Sequence, residues 1–563
     1  MSGGLFESLG VGSRGLSASQ TALSVTGQNI TNANTEGYSR KRLEQSADWK
    51  RDGQFGQMGF GVEVDQISRV RDQLLDHTIV ANQGDVGMHT QVDDAMGRME
   101  ALFTEPTEQG LGECLTSFWN AWQDLANHPA DVAARQSVVD KAQTAISRFH
   151  QLANGLQGLR GDEEIQLAAK VKDINDLLSR ISDDNQAVAA AESQPSGKAN
   201  DSRDDRQLAL AKLGKLLDID YVEDAQGRVT VTSSGQMLVA PSKPLPLLME
   251  HHSVALADGT SFTLSSLRVS GTNCAFVPKN GELAGILEAR DRIIPGAQGK
   301  LDSLASSLVT SLNQLHRSGY DAQGTTGTNF FDATKTSAAT IALLSEIAKN
   351  PLAVAAGSGG TSLSPSSPVS TAIPATGAAL DLAQSVNPAY RDLLDGSVKI
   401  KTVGPPSVEL TEGPGKDFVV DKANGRISFT NYIAFPAGTA VTVDFRYSAT
   451  GFKGAGDGNN ALAIAQLKDS LLANPDQHGT PTATIVNAYA DMVGSIGANH
   501  STARSKLGTS KSLSDFYGRQ AQSVAGVNID EEVTDLVKYQ HSYQASAKYI
   551  STVSQMLESL MNL

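Results

Sequence analysis

At 563 residues the chain is long enough for three or four domains. Its formal net charge of −15 and pI near 5.2 argue against a nucleic-acid binder, which carries a basic patch or a basic domain. No window approaches the roughly 18 consecutive apolar residues of a spanning helix, so no membrane insertion is expected. Aromatic residues make up only 5%, which favours long helices and thin β layers over one large aromatic core.

The N-terminal Met1-Ser2-Gly3-Gly4-Leu5-Phe6-Glu7-Ser8 lacks the cationic segment and continuous apolar run of a Sec signal peptide. Leu9, Leu16, Leu23 and Ile30 recur every seventh residue, with Leu5, Ala22 and Val25 beside them. This spacing predicts an amphipathic helix within residues 1–40. Gly10-Val11-Gly12-Ser13-Arg14-Gly15 matches the dinucleotide fingerprint in spacing alone, since no strand precedes it and no βαβ unit follows. Thr31 to Tyr38 carries turn chemistry, and Gly53 to Val64 reads as extended. Residues 41–217 are expected to be mostly helical, in one stretch to about Gly155 and a second from Asp162 to Leu217, loosened near Ser193 to Lys198. Phe118, Trp119 and Trp122 are the expected core cluster.

The hydrophobic period then changes to two. Ile219–Val222, Arg228–Thr232, Met237–Val239, Val254–Leu256, Phe262–Leu264 and Leu267–Val269 read as strands of a β-rich insertion over 218–281, with Asp258-Gly259 as a hairpin turn. The helical period returns over 282–356, where Leu287, Ile294, Leu301, Leu308 and Leu315 repeat and Pro295 is expected to kink or divide the helix. Residues 357–379, rich in Gly, Ser and Pro, read as a linker. An outer β domain is expected over 380–455 and helix again over 456–522.

The segment 523–563 closes the chain. From Val533 to Leu563 there is no Gly and no Pro. Ile529, Val533, Leu536, Tyr543, Ala547, Ile550, Leu557 and Met561 form a stripe at helical spacing, interrupted at Gln540 and Ser554 and widened by Val537, Val553 and Leu560. Asn528 can cap this helix, with Glu531 placed as in a capping box, and Asp530, Glu531 and Glu532 suit the positive end of its dipole. A striped helix at each end of the chain allows two arrangements: each lies on a globular core, or the two pair with one another and with copies of themselves.

Chemistry is sparse. There is no phosphate loop, no Gly-x-Ser-x-Gly elbow and no histidine pair at zinc-ligand spacing, so no catalytic, cofactor-binding or metal-binding residue is assigned. His251 and His252 read as surface residues on a strand. Asp183-Asp184 and Asp204-Asp205 read as solvated helix faces. Cys114 and Cys274 read as lone buried thiols, not as a disulfide.

Gln28-Asn29-Ile30-Thr31-Asn32-Ala33-Asn34-Thr35-Glu36-Gly37-Tyr38-Ser39-Arg40 resembles the N-terminal motif of the bacterial flagellar rod, hook and hook-associated protein family. Asn29, Asn32, Asn34, Thr35, Gly37 and Tyr38 carry that likeness; Glu36 departs from it, since many members have Pro there. Asp530-Glu531-Glu532, Leu536, Gln540, Tyr543, Ala545, Ala547 and Leu557 are similar to the family's C-terminal motif. Gly59-Phe60-Gly61-Val62-Glu63-Val64, with Ile67, Arg69 and Asp72, is a third match, and Gly281 to Asp291 resembles a segment of the family's junction members.

The resemblance implies a multidomain α+β fold. Long terminal helices would form a coiled-coil-like inner domain, a mainly helical middle domain would draw on both chain halves, and β-rich domains would be inserted outward. It implies a non-enzymatic structural subunit joining hook to filament, with no cofactor. Its expected partners are copies of itself in a ring or helical assembly, the hook protein, a second hook-associated junction protein, and an export chaperone with the type III export apparatus. The assembly seams would be Leu9, Leu16, Leu23 and Ile30 at one end and the Ile529–Met561 stripe at the other. Other readings are a hook, rod or second junction protein, or a coiled-coil surface adhesin.

Overall fold

A computed structural model describes residues 2–47, 50–53, 56–103, 110–193, 198–255, 259, 261–358, 362–363, 368–385, 393, 397–404, 406–421, 425–448, 456–475 and 477–561. Residues 194–197 of the loosened stretch, Leu256 at the end of one expected strand, Asp258 of the hairpin turn, Leu563 and the side chains of Leu5 and Leu560 lie outside the described residues. The helices are α1 (Ser2–Thr31), α2 (Gln73–Leu102), α3 (Leu111–Asn127), α4 (Val132–Ala191), α5 (Asn200–Leu216), α6 (Glu282–Glu288), α7 (Ile294–Ser318), α8 (Ser345–Lys349), α9 (Leu382–Ser385), α10 (Asn459–Ala465), α11 (Ile485–Ala525) and α12 (Ile529–Met561). Their starts follow from local chemistry. Asp72 accepts hydrogen bonds from the Leu74 and Leu75 amides at the head of α2, Asp131 from Ala133 before α4, and Thr484 from Asn487 before α11.

The helical body has two apolar cores. One draws on both chain halves. Phe118, Trp119 and Trp122 of α3 meet Phe330 and Phe331, with ring centroids 5.3 Å apart for Trp122–Phe330, and Ile485, Tyr489 and Met492 of α11 close the cluster. α11 lies antiparallel on α2, with Gln83 bonded to Ser514 and Glu100 to His500. The other core packs the C-terminal half of α4 and α5 against β strands. β1 (Lys41–Ala47) pairs antiparallel with β4 (Val62–Arg69), and the hairpin β2 (Lys50–Gly53) and β3 (Gly56–Gly59) lies between them in sequence. β5 (Asp220–Glu223), β6 (Val229–Ser233), β7 (Gln236–Ala240) and β8 (Lys243–Pro244) form an antiparallel meander, followed by the long hairpin β9 (Leu247–Ala255) and β10 (Ser261–Val269).

The expected break between two helical stretches near Gly155 is absent, since α4 runs unbroken for 60 residues. Gly155 is instead a point of close approach: a Cβ there would stand 2.3 Å from Leu102 Cδ2. Pro295 is absorbed without ending the helix. A π turn, Ala289–Ile293, joins α6 to α7 and places the proline at the start of α7.

The segment read as a linker is in part strand. β11 (Ser362–Leu363), β12 (Val369–Ala372) and β13 (Ala379–Asp381) are followed by β14 (Lys399–Thr402), β15 (Glu409–Leu410), β16 (Phe418–Asp421), β17 (Arg426–Phe429), β18 (Ala440–Asp444) and β19 (Tyr447–Ser448). β12 joins the sheet β12-β18-β14-β15 and β13 joins β13-β17-β16, around a core that includes Ile400, Phe418, Ile427 and Val443. Composition marked this stretch as flexible, but pairing with β18 and β17 gives its backbone a ladder. Two further readings change. Cys274 is an exposed free thiol while Cys114 is buried, and Asp204 is buried, not solvated.

α2, α5 and α6 meet at a crossing that Gly84, Gly87, Gly214, Gly281 and Gly285 make possible. A Cβ at Gly87 would stand 2.1 Å from the Lys215 carbonyl oxygen, one at Gly214 2.6 Å from Val80 Cγ1, and one at Gly285 2.7 Å from the Met88 carbonyl oxygen. Gly281 also has φ +88. Glu282, buried beside it, pairs with Lys170 at 2.6 Å and Lys215 at 3.0 Å. The Gly281–Asp291 segment thus serves close backbone packing.

His316 is enclosed by Trp122 and Phe330. Its Nδ1 donates to the Thr328 carbonyl at 2.7 Å and its Nε2 accepts from the Ala355 amide at 2.9 Å, which fixes a neutral ring. Burial pushes its pKa down to about 4. The unfolded chain therefore binds the extra proton first as pH falls from the ordinary histidine value near 6.5 to about 4. The stability contributed is complete above that window and lost below it, on the order of 3 kcal/mol. His316→Gln should flatten the stability-versus-pH curve across this window, read by urea unfolding at stepped pH.

Candidate assembly interface

α1 and α12 pack against each other antiparallel, and α1 meets its partner with small residues. A Cβ at Gly12 would lie 2.7 Å from Ile550 Cγ1, and one at Gly15 3.1 Å from Ser546 Oγ. Ser19 Oγ donates to Ser542 Oγ at 3.1 Å, and Asn29 Nδ2 donates to Glu532 Oε2 at 3.0 Å. The partner numbers fall as the α1 numbers rise, so one register holds from Gly12 to Asn29, about 25 Å of helix.

The leucine repeat is not this contact line. Leu9, Leu16, Leu23 and Ile30 are half-buried and flank it, while Ala18, Ser19, Ala22, Val25, Thr26 and Asn29 are buried. Gly12, Ser19 and Thr26 sit three positions after a repeat residue, roughly 60° around the helix, and Gly15, Ala22 and Asn29 sit one position before, roughly 100° around. Gly and Ser there let the two backbones approach where leucine would hold them apart. On α12, Leu536, Ile550 and Leu557 are half-buried; Ile529, Val533, Tyr543, Ala547 and Met561 are exposed, Met561 by 85%. Among the described residues of α12 only Glu532 and Val553 are buried. The pair therefore leaves the Leu9–Ile30 stripe half-buried and five of the eight α12 stripe residues exposed.

The base of the pair is polar. Asn29 uses its whole amide: Nδ2 donates to the Lys41 carbonyl at 2.9 Å as well as to Glu532, and Oδ1 accepts from the Lys41 amide at 3.0 Å and the Tyr38 hydroxyl at 2.9 Å. Burial, with the charges of Asp201, Asp204 and Glu532, pushes the Tyr38 pKa up to about 12, so it stays a donor. Arg40 bridges Glu532 at 2.7 Å and Glu531 at 2.9 Å. Ser39 donates to Asp204 from its amide at 3.2 Å and from its hydroxyl, and Arg69 reaches Asp204 at 2.8 Å. Lys41 pairs with Asp201.

The turn that presents these groups is built from the rest of the motif. Asn32 accepts from Thr35 at Oδ1, 3.2 Å, and at its carbonyl, 2.9 Å, while Asn34 is exposed. Gly37 has φ +85 and lies against Leu208 of α5, where a Cβ would be 3.2 Å from that side chain. Glu36 is exposed and faces Lys212 at 3.6 Å. Asn528 caps α12 through Oδ1, accepting from the Asp530 amide at 3.1 Å, but Glu531 turns to Arg40. Sequence reasoning missed Asp204 and the joining of Arg40 to Glu532. The only signal was two acids inside an otherwise ordinary helix face.

His251 and His252 bond across the β9–β10 hairpin to Ser265 and Ser266, each at 2.8 Å. Among the described residues no group of His, Cys, Asp and Glu could hold a metal ion, and no helix is long and apolar enough to cross a membrane.

Three family models match. Residues 96–331 match the helical domain of flagellar hook-associated protein FlgK, 519–563 the C-terminal region of flagellar basal body rod FlgEFG proteins, and 9–38 the flagella basal body rod protein. Flagellar hook-associated protein 1 of Bacillus subtilis is 25% identical over 99% of this chain and 98% of its own length. The protein of that name from Salmonella typhimurium is 24% identical over 98% of each chain. In fold, the chain is similar to the flagellar hook junction protein FlgK of Burkholderia pseudomallei, with TM-score 0.57 and 20% identity over 80% of this chain and all of that one.

Proposed function

The chain belongs to the family of flagellar hook-associated protein 1, and on that premise we propose that it is a non-enzymatic structural subunit joining the flagellar hook to the filament. It assembles with copies of itself through α1 and α12. The observation that carries this reading is the helix pair itself. Its small-residue contact line leaves the Leu9–Ile30 stripe half-buried and much of the Ile529–Met561 stripe exposed. Burying that apolar area between copies would stabilise an assembly by roughly 25 cal/mol per Å².

Its neighbours along the axis are the hook protein and a second hook-associated junction protein. It reaches them unfolded through the type III export apparatus, accompanied by an export chaperone. Neither Cys114 nor Cys274 is in a disulfide, so the fold waits on no disulfide after export. The seam residues Leu9, Leu16, Leu23, Ile30, Ile529, Val533, Leu536, Tyr543, Ala547, Ile550, Leu557 and Met561 contact neighbouring copies. Deleting the gene should abolish filaments while flagellin is shed into the medium, and the intact gene should restore them. Normal filaments on the deletion strain would sink this function.

A further inference from the structure

We propose that Glu532 is the positioning residue that fixes the angle between the terminal helix pair and the helical body. The pair joins the body through only two short connections, the turn after α1 and the segment 526–528 between α11 and α12. Two such strands make a hinge: they tether the pair but leave it free to swing about the line joining them. At the base of the pair, a continuous run of polar contacts opposes the swing. Glu532 of α12 accepts from Asn29 of α1 and from Arg40. Asn29 grips both the amide and the carbonyl of Lys41, at the start of β1. Lys41 then reaches Asp201, exposed on α5, and Ser39 reaches the buried Asp204 of the same helix. α12, the body and α1 are thereby joined through one carboxylate.

Glu532 differs from its neighbour in the way this role requires. Its side chain is 3% exposed and that of Glu531 is 58% exposed, although both meet Arg40. A buried carboxylate with two directional donors holds a geometry, because any swing leaves a buried charge without its partners. An exposed one exchanges partners with water at little cost. Higher up, Gly12 to Ser19 hold α1 to α12, and α1 also meets the β1–β4 arm, where Arg14 donates to the Phe60 carbonyl at 3.1 Å and Gly61 lies against Val11. None of these named contacts reaches α5, so the tie from the pair to the helical body runs through Glu532, Asn29 and Lys41.

The proposal rests on the assembly reading for its consequence, since a tube needs one angle in every subunit, but its test does not depend on assembly. The full chain with Cys114→Ala and Cys274→Ser carries spin labels at Gln186→Cys on α4 and Gln555→Cys on α12. Distances come from double electron–electron resonance, with labelled copies diluted into unlabelled ones. A second variant of the full chain, with Ser19→Cys and Ser542→Cys, reports pairing by formation of a disulfide between those two positions. Glu532→Ala should at least double the width of the distance distribution while the disulfide between α1 and α12 forms as before. Glu531→Ala should leave both unchanged, and Glu532→Asp should restore a narrow distribution.

The proposal is overturned if Glu532→Ala leaves the width unchanged, or if Glu531→Ala broadens it equally. Loss of the disulfide in Glu532→Ala also overturns it, because Glu532 would then hold the pair together and not set its angle. Failure of the unsubstituted chain to associate, by sedimentation, would count against the assembly reading and leave the angular result standing.

Discussion

Gly87→Ala should cost about 3 kcal/mol of stability in the helical body, at the upper end of the range for overpacking a tight contact. The new methyl would stand 2.1 Å from the Lys215 carbonyl oxygen, with the Glu282 amide nitrogen 3.0 Å away. Both neighbours are backbone, so no side-chain rotation relieves the clash, and α5 or α6 must move. Either movement disturbs the Glu282 pairs with Lys170 and Lys215 and the apolar core beneath. The helix propensity of alanine would offset only about 1 kcal/mol of this. Gly158→Ala in α4 is the control, since nothing lies within 4 Å of its added Cβ. That change should stabilise by about 0.5–1 kcal/mol. Opposite signs in denaturant unfolding would identify close packing at Gly87 as the cause. Equal, small effects would show that the crossing yields easily.

The second large effect is on association. Leu16→Glu together with Leu23→Glu should abolish self-assembly while leaving the body folded. Both leucines flank the α1–α12 contact line and are half-buried in the single chain. If a neighbouring copy completes their burial, each contributes about 2 kcal/mol, and losing both weakens each contact roughly a thousandfold. The introduced carboxylates add the cost of desolvating charge. Sedimentation velocity reads the loss, and unchanged circular dichroism with unchanged unfolding of the body shows that the fold survives. Normal association of the double variant would remove the leucine stripe from the interface.

These two expectations mark how far the sequence could be read. The period of α1 and α12 was plain, because a helix with an unfilled apolar stripe repeats visibly. The face by which they meet was not. A heptad of leucine stands out, while the line of Gly12, Gly15 and Ser19 signals only through what it lacks, and close approach depends on the partner's position. The same physics hid the continuity of α4. Gly155 looks like a breaker in isolation, but it lies where Leu102 needs room. Pro295 reads as a kink or a break, yet the π turn before it lets the helix continue.

The 357–379 segment went the other way. Its Gly, Ser and Pro content describes the chain alone, whereas β12 and β13 are ordered by the distant strands β18 and β17, through the Val369–Val443 and Ala379–Ser428 pairings. Long-range pairing leaves little trace in local composition. Asp204 reads as solvated for a related reason, and Glu532, which does stand in the first turn of α12 as its dipole reading expects, gave no hint of its partner. An acid on a helix looks solvated until the residue that neutralises it arrives, here Arg69 and Arg40 from the turn and strands after α1. The family motif supplied Asn29, Gly37 and Tyr38 as a set but not their work, which is to join α1 to the body.

The most direct measurement of the central claim, that the terminal helix pair is completed by neighbouring copies, is amide hydrogen exchange on residues 529–561 in dilute and in assembled protein. Most side chains of α12 remain exposed in the single chain, where α1 covers one face of it, so its backbone should exchange far faster in the dilute state than in the assembly. Protection should then rise along the whole helix on assembly, by at least about a hundredfold. Strong protection of 540–561 in the dilute chain, with no further change on assembly, would contradict the account.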